Sequence, residues 1–155
     1  MEQKIKAVQY GVGKMSLYTM RYVYEKGGEI VGAVDVNPNV IGKDIGEILG
    51  TDNKNVKVVS ADNAEEMLKQ AKPDIVIVTT MSLLNDVKDA LMLCAKLGIN
   101  AITTCEEAFF PENSNPNVTK KIDELAKQTG CTITGSGYQD IYWGQLISSI
   151  AGSTH

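Results

Sequence analysis

The chain has 155 residues, of which 43% are hydrophobic and 22% charged, a composition typical of one globular domain. A net charge of −4 and a single arginine, Arg21, argue against a nucleic-acid or anionic-membrane partner. The only histidine is the last residue, His155, which excludes Ser-His-Asp and Cys-His catalysis and histidine-based metal sites.

Apolar runs alternate with helix-favouring stretches along the whole chain. Six runs predict β-strands, at residues 4–10, 30–35, 56–60, 74–80, 99–103 and 131–134. Between them the sequence predicts helices at residues 13–26, near 43–49, up to 71 with Asp62 as N-cap, from Ser82 or Asn85 to 97, and at 117–129. Gly27 and Gly28 predict a left-handed end to the first helix.

This alternation predicts an α/β fold, a doubly wound and mostly parallel sheet of the Rossmann type with helices on both faces. The run at residues 74–80, DIVIVTT, is almost continuously apolar or β-branched and is typical of a central parallel strand. Ligands of such sheets bind beyond the carboxyl ends of the strands, where the strand order reverses.

The stretch AVQYGVGKMS, residues 7–16, joins the first predicted strand to the first helix. It reads G-x-G-x-x-S, a weak signal alone but one that lies here in a βαβ unit. The first glycine would permit a tight turn and the second would let a pyrophosphate approach the backbone. The predicted phosphate-binding turn comprises Gly11, Val12, Gly13, Lys14 and Met15. The alternative is a strand-to-helix corner that binds no ligand.

Asp35 ends the second predicted strand, 24 residues after Gly11, near the spacing of about 20 expected for the acidic residue of a dinucleotide site. Its carboxylate would accept hydrogen bonds from ribose hydroxyls and repel a 2′-phosphate, which favours NAD over NADP. NADP stays open, since Asn37 can hydrogen-bond a phosphate and Lys43 is the nearest downstream cation. A solvated aspartate at a strand end is the other interpretation.

Two further strand ends carry polar residues at the predicted ligand edge. Thr79, Thr80, Met81 and Ser82 follow the central strand, where the nicotinamide half of a dinucleotide would lie. The alternative there is ordinary strand threonines with Ser82 as a helix cap. After the fifth strand, Glu106 or Glu107 would face a cationic substrate or begin a solvated helix, and Cys105 is expected to be a small buried residue.

The first residues, MEQKIKAVQY, lack the regions of a signal peptide, and no apolar run approaches the ~18 residues that span a bilayer. Cys94, Cys105 and Cys131 form no C-x-x-C pair, so neither a disulfide framework nor a zinc site is predicted. Isolated thiols are typical of a reducing compartment, and the expected location is the cytoplasm.

The stretches AVQYGVGKMS, GAVDVNPNVIGKDIGE, TTCEEAFFP and GSGYQDIYWG occur in this order along the chain. Together they resemble the 2,4-diaminopentanoate dehydrogenase family, which is related to dihydrodipicolinate reductase and diaminopimelate dehydrogenase. The resemblance covers essentially the entire chain, and its last two stretches are more specific than the glycine motif.

The resemblance implies an NAD(P)-dependent oxidoreductase of ornithine degradation that deaminates 2,4-diaminopentanoate to 2-amino-4-oxopentanoate. It puts the glycine turn on the family's phosphate loop, Asp35 at the ribose position and residues 79–82 on the nicotinamide side. The substrate-cleft candidates it implies, without chemical roles, are Glu106, Tyr138, Gln139 and Asp140. A carboxylate such as Glu106 or Asp140 would help to bind the substrate ammonium group.

The resemblance also implies that residues 1–152 are an NAD(P)-binding domain and that relatives carry a substrate-binding and dimerising domain after it. We therefore expect the present chain to bind coenzyme without turning over substrate, and the full-length enzyme to be a homodimer that acts on a small diamine. Without the second domain, an apolar patch is expected at Tyr138, Ile141, Tyr142 and Trp143. The alternative function is a stand-alone nucleotide-binding module or sensor without catalysis.

Overall fold

A computed structural model of the chain describes residues 4–137 and 140–153, which contain a six-stranded parallel sheet with helices on both faces. The strands are β1 (Lys6–Tyr10), β2 (Glu29–Asp35), β3 (Val58–Ser60), β4 (Ile75–Val78), β5 (Asn100–Thr103) and β6 (Ile133–Gly135). The α-helices are α1 (Ser16–Glu25), α2 (Ile45–Leu49), α3 (Ala64–Ala71), α4 (Leu84–Lys96), α5 (Pro116–Thr129) and α6 (Ser148–Gly152). Short 3₁₀ helices span Ala61–Asn63 and Glu106–Phe109, and a π-helical segment spans Asp140–Ile147.

The strand order is β3-β2-β1-β4-β5-β6, and every neighbouring pair is parallel. The order reverses between β1 and β4, so the connections from these two strands diverge to opposite sides of a crevice at their carboxyl ends. The predicted doubly wound α/β fold is therefore confirmed, and the crevice between β1 and β4 is where its ligand is expected.

Successive side chains of β1 point to opposite faces of the sheet, and each face has its own buried cluster. Ala7 belongs to a buried cluster that includes Met20 of α1 and Ile45 of α2. Val8 belongs to the opposite cluster, which includes side chains of α3, α4 and α5. Helices thus cover both faces of β1, as the apolar sequence of a central parallel strand requires. No helix in the described ranges is long and apolar enough to cross a membrane.

Some predicted helix ends were wrong because another residue performs the capping. The Ser60 hydroxyl, not Asp62, accepts the first free N–H, and a 3₁₀ turn precedes α3. Gly27 has a positive φ of 79°, whereas Gly28 does not share that conformation. A side-chain oxygen near a helix start is a capping candidate at several neighbouring positions, so sequence spacing alone does not choose among them.

The start of α4 also differs from the prediction that Ser82 or Asn85 caps it. The N-cap position is Leu83, which has no side chain able to accept a hydrogen bond. The Leu84 N–H instead donates to Oε2 of Glu107 at 2.6 Å. A carboxylate from the segment after β5 therefore satisfies the helix N-terminus, where negative charge is also favoured by the helix dipole.

The long connection after β2 is organised by one buried carboxylate. Asp44 caps α2 by accepting the Gly46 N–H at 2.7 Å, and it also accepts the N–H groups of Lys54 at 2.8 Å and Val56 at 2.9 Å. These bonds close the loop on itself and hold it against the cluster below α1. The loop therefore has a fixed shape beside the end of β2.

Candidate nucleotide-binding site

The turn after β1 presses directly against the end of β4. Gly11 has φ of +91°, and its N–H donates to the carbonyl oxygen of Val34 at 2.8 Å. A Cβ atom at Gly11 would lie 2.6 Å from Cγ2 of Thr80 and 2.9 Å from the carbonyl oxygen of Thr79. Both the backbone conformation and the lack of space require glycine at this position.

Gly13 faces open space and lies among unused hydrogen-bond donors. A Cβ atom there would have no neighbour within 4 Å. Within the described ranges, no acceptor pairs with the N–H groups of Gly13, Lys14 or Met15, and the first turn of α1 contains no acidic residue. Buried Ser16 fixes the start of the helix by donating its hydroxyl to the Gly13 carbonyl oxygen at 2.6 Å. Space, donors and helix dipole together fit a pyrophosphate group.

Two side chains of the turn point in different directions. Val12 is buried in the cluster below α1, which anchors the turn to the core. Lys14 is exposed and forms no ion pair with any residue that the structure describes. Met15 is 56% exposed beside it. The lysine ammonium group is therefore available to an anion bound at Gly13.

The Asp35 carboxylate is held by two backbone N–H groups. Its Oδ2 accepts the N–H of Val12 at 2.5 Å, and its Oδ1 accepts the N–H of Asn37 at 2.7 Å. Each carboxylate oxygen has a second lone pair, which leaves acceptors for a ribose diol. Asp35 consequently lies beside the glycine turn, as its position at the end of β2 predicts.

The segment after β4 completes the other side of the crevice. The Thr79 hydroxyl donates to the Gly11 carbonyl oxygen at 3.0 Å, and the Thr79 N–H donates to the Tyr10 carbonyl oxygen at 2.8 Å. Thr80, Met81 and Ser82 follow as exposed residues. The structure thus brings the glycine turn, Asp35 and residues 79–82 together around one crevice.

Gln9 is a residue of this site that the sequence reasoning missed. Its side chain is completely buried and connects the turn to Thr79 and to Thr19 of α1 by hydrogen bonds. The available signal was a polar side chain in the middle of an otherwise apolar strand, where burial demands hydrogen-bond partners.

The candidate substrate-cleft residues have different outcomes. Glu106 is exposed at the carboxyl edge of the sheet, whereas neighbouring Glu107 is committed to α4. Asp140 is the first residue of the π-helical segment, and Tyr138 and Gln139 lie outside the described residues. The expected exposure of apolar side chains beyond them is seen at Ile141 and Trp143, which are 49% and 59% exposed.

Cys105 is a structural thiol, as expected from its small size and position. It is fully buried, and its Sγ donates to the Ser82 carbonyl oxygen at 3.0 Å. Burial raises the pKa of this thiol, which disfavours the nucleophilic thiolate. Across the described ranges, no group of three or more His, Cys, Asp or Glu side chains is arranged to hold a metal ion.

Comparison with known proteins identifies relatives along nearly the whole chain. Amine dehydrogenase from Mycobacterium smegmatis is 39% identical and superimposes with a TM-score of 0.92 over 99% of this chain and 45% of that one. The curated 2,4-diaminopentanoate dehydrogenase of Acetoanaerobium sticklandii is 27% identical over 136 residues, which are 87% of this chain and 38% of that protein. The chain is similar in sequence to 2,4-diaminopentanoate dehydrogenase. The resemblance stated from the sequence is therefore confirmed, and the chain spans less than half the length of either relative.

The fold is also found in a protein of much lower sequence identity. The WlbA dehydrogenase from Thermus thermophilus, solved in complex with NAD and α-ketoglutarate, superimposes with a TM-score of 0.73 over 97% of this chain and 47% of that one. Its sequence identity of 15% shows the shared fold alone. No protein-family model matches the chain.

Proposed function

We propose that this chain binds NAD as the nucleotide-binding domain of an oxidoreductase. The observation that carries the proposal is the open, donor-rich turn at Gly13 with the Asp35 carboxylate bonded to it on the same crevice. A dinucleotide needs both features, because its pyrophosphate seeks N–H donors and its adenosine ribose seeks a hydrogen-bond acceptor. A strand-to-helix corner without a ligand needs neither the open space nor the unpaired donors.

The cations around the site support NAD over NADP. Arg21 donates from Nη2 to the Leu49 carbonyl oxygen at 3.0 Å, which commits its guanidinium group to α2. Lys43 lies 3.5 Å from the Glu47 carboxylate. Among the described residues, neither cation forms an ion pair with the Asp35 carboxylate, and that carboxylate itself repels a 2′-phosphate.

The complete protein is proposed to oxidise an amine of 2,4-diaminopentanoate and release ammonia. This finer proposal is supported by the similarity to an amine dehydrogenase and to 2,4-diaminopentanoate dehydrogenase. When bound, NAD supplies a hydride acceptor at its nicotinamide ring. Glu106, exposed at the carboxyl edge of the sheet, is a candidate to bind the substrate ammonium group.

The domain organisation belongs to the same proposal. Residues 1–152 form the coenzyme domain, and a further domain supplies the rest of the substrate site and the contacts of a homodimer. The 155-residue chain alone then binds coenzyme without turnover. The full-length enzyme is proposed to act in the cytoplasm.

Calorimetric titration of the chain with NAD and NADP tests coenzyme binding. The informative variant is Gly13→Val, which puts a side chain into open space at a backbone position that does not have a positive φ. Gly152→Val is the matched control, since that glycine also faces open space but lies in α6. We expect saturable binding that is tighter for NAD, a loss of about tenfold or more in Gly13→Val, and none in the control. Absence of NAD binding, or equal affinity in wild type and Gly13→Val, would refute the proposal.

The substrate is tested separately, on the complete gene product. We expect it to form NADH when it is mixed with NAD and 2,4-diaminopentanoate, and the 155-residue chain to form none. A complete protein that bound NAD but left this diamine unoxidised would retain the coenzyme proposal and overturn the substrate.

A further inference from the structure

Gln9 lies in the middle of β1 and its side chain is completely buried. Burying an amide without partners is costly, so its presence in the core demands a set of hydrogen bonds. Here every polar atom of the amide is used. The partners lie on three separate elements, which makes the residue a cross-link rather than a local turn contact.

The donor side of the amide joins β1 to the end of β4. Nε2 of Gln9 donates to the Gly11 carbonyl oxygen at 2.9 Å and to Oγ1 of Thr79 at 2.8 Å. The Thr79 hydroxyl in turn donates to the Gly11 carbonyl oxygen at 3.0 Å, which closes a ring of three hydrogen bonds. The amide orientation is fixed chemically, because the Gly11 carbonyl oxygen can only accept.

The acceptor side of the amide reaches the first helix. Oε1 of Gln9 accepts the hydroxyl of Thr19 in α1 at 2.7 Å. The same side chain therefore contacts the glycine turn, the helix that follows it and the strand end on the other side of the crevice. These are the elements that would hold the phosphates and the nicotinamide half of a dinucleotide.

We propose that Gln9 is a positioning residue that holds the end of β4 against the glycine turn, so that both halves of a dinucleotide are bound as one ligand. The inference rests on the proposed NAD-binding function and deepens it. ADP contacts only the Asp35 and glycine-turn side of the crevice, whereas NAD extends to residues 79–82. Loss of the Gln9 cross-link therefore weakens NAD binding more than ADP binding.

Gln9→Met is the variant that removes the cross-link with the least damage to the core. Methionine is close to glutamine in size and flexibility. The partners left behind retain other bonds: the Gly11 carbonyl oxygen still accepts from Thr79, and the Thr19 hydroxyl lies 3.1 Å from the Ser16 carbonyl oxygen. No buried polar group is stranded by the substitution, so the variant is expected to fold.

Thr79→Val is a second variant that breaks the same ring from the other side. It removes the hydroxyl between Gln9 and the β4 end and leaves the bond from Gln9 to Gly11 in place. If the two residues act as one unit, the double variant loses less NAD affinity than the sum of the two single variants. Additive losses would contradict a shared ring.

The deciding experiment titrates wild type and both variants with NAD and with ADP, and records their thermal unfolding without ligand. We expect each variant to bind NAD about three- to tenfold more weakly, as one or two lost hydrogen bonds imply, with ADP affinity changed less than about twofold. If a variant lost stability and its affinities for NAD and ADP fell by the same factor, or if its NAD affinity were unchanged, Gln9 would be only a structural core residue. Wild type that bound neither ligand would refute the proposed function itself, and with it this inference.

Discussion

The carboxylate of Asp35, the last residue of β2, accepts the backbone N–H of Val12 in the glycine turn at 2.5 Å. The residue proposed to bind ribose therefore also holds the turn proposed to bind phosphates. Since its other oxygen accepts the Asn37 N–H, the carboxylate has one orientation before any ligand arrives. Because the carboxylate is already ordered, little binding free energy is lost in ordering it when a ligand binds.

Asp35→Asn separates the charge from the shape of this side chain. One carboxamide oxygen can replace only one of the two accepting oxygens, so we expect a lower melting temperature and NAD binding weakened by about tenfold. The ratio of NADP to NAD affinity should rise, because the repulsion of a 2′-phosphate is removed. Asp52→Asn removes the same charge from an exposed loop and is the control. Equal losses for both coenzymes would contradict a role in discrimination.

Gly11→Ala tests whether the turn depends on contact with β4 in addition to its backbone conformation. Gly42 has a similar φ of +85° but open space around it, so Gly42→Ala measures the conformational strain alone. We expect that control to lower the free energy of unfolding by about 1 kcal/mol or slightly more. Gly11→Ala should cost about 1–3 kcal/mol beyond it because of the clash with Thr80 and Thr79. If urea unfolding showed the same loss of unfolding free energy for both variants, the turn would not be tightly packed against the end of β4.

The predictable parts of this molecule are those with a local cause. Alternating apolar runs fix a parallel sheet, and the sheet brings the ends of β1 and β2 side by side. Gly11 and Asp35 could therefore be placed in one site before any coordinates, because each marks a strand end. The pairing of Tyr10 with Val34 in the register then puts the residues that follow within hydrogen-bond reach.

The missed features depend on residues that are far apart in sequence. Glu107 reaches the Leu84 N–H only because β4 and β5 pair with Val78 beside Thr103, which brings their following segments together. Gln9 finds Thr79 through the pairing of β1 with β4. Such contacts depend on the register between neighbouring strands. The hydrophobic pattern of a strand predicts which of its side chains face the core, but it does not predict which residue of the next strand lies beside them.

Thiol reactivity should distinguish the three cysteines. Burial raises the pKa of Cys94 to about 12, and at about pH 8 such a thiol is ionised to about one part in ten thousand. Cys105 is fully buried with a raised pKa, whereas Cys131 is partly exposed. We expect one fast-reacting thiol in the native chain with a chromogenic disulfide reagent and three after unfolding. Cys131→Ser should abolish the fast phase, and a second fast thiol in the native chain would contradict the assignment.

The Glu107 cap on α4 should make stability depend on acid pH. Hydrogen bonds from the Leu84 N–H, then from Ser114 and Asn115, hold the pKa of Glu107 below its ordinary value of 4.5. A folded-state pKa below the unfolded one stabilises the chain above pH 4.5, and this contribution disappears as the pH falls through the folded-state pKa. Glu107→Gln should therefore lower the free energy of unfolding at neutral pH and flatten its decline in acid. Glu106→Gln, at the exposed neighbouring carboxylate, is the control. The measurement is urea unfolding from neutral to acid pH. If Glu107→Gln and wild type showed the same dependence of stability on pH, the cap would be excluded.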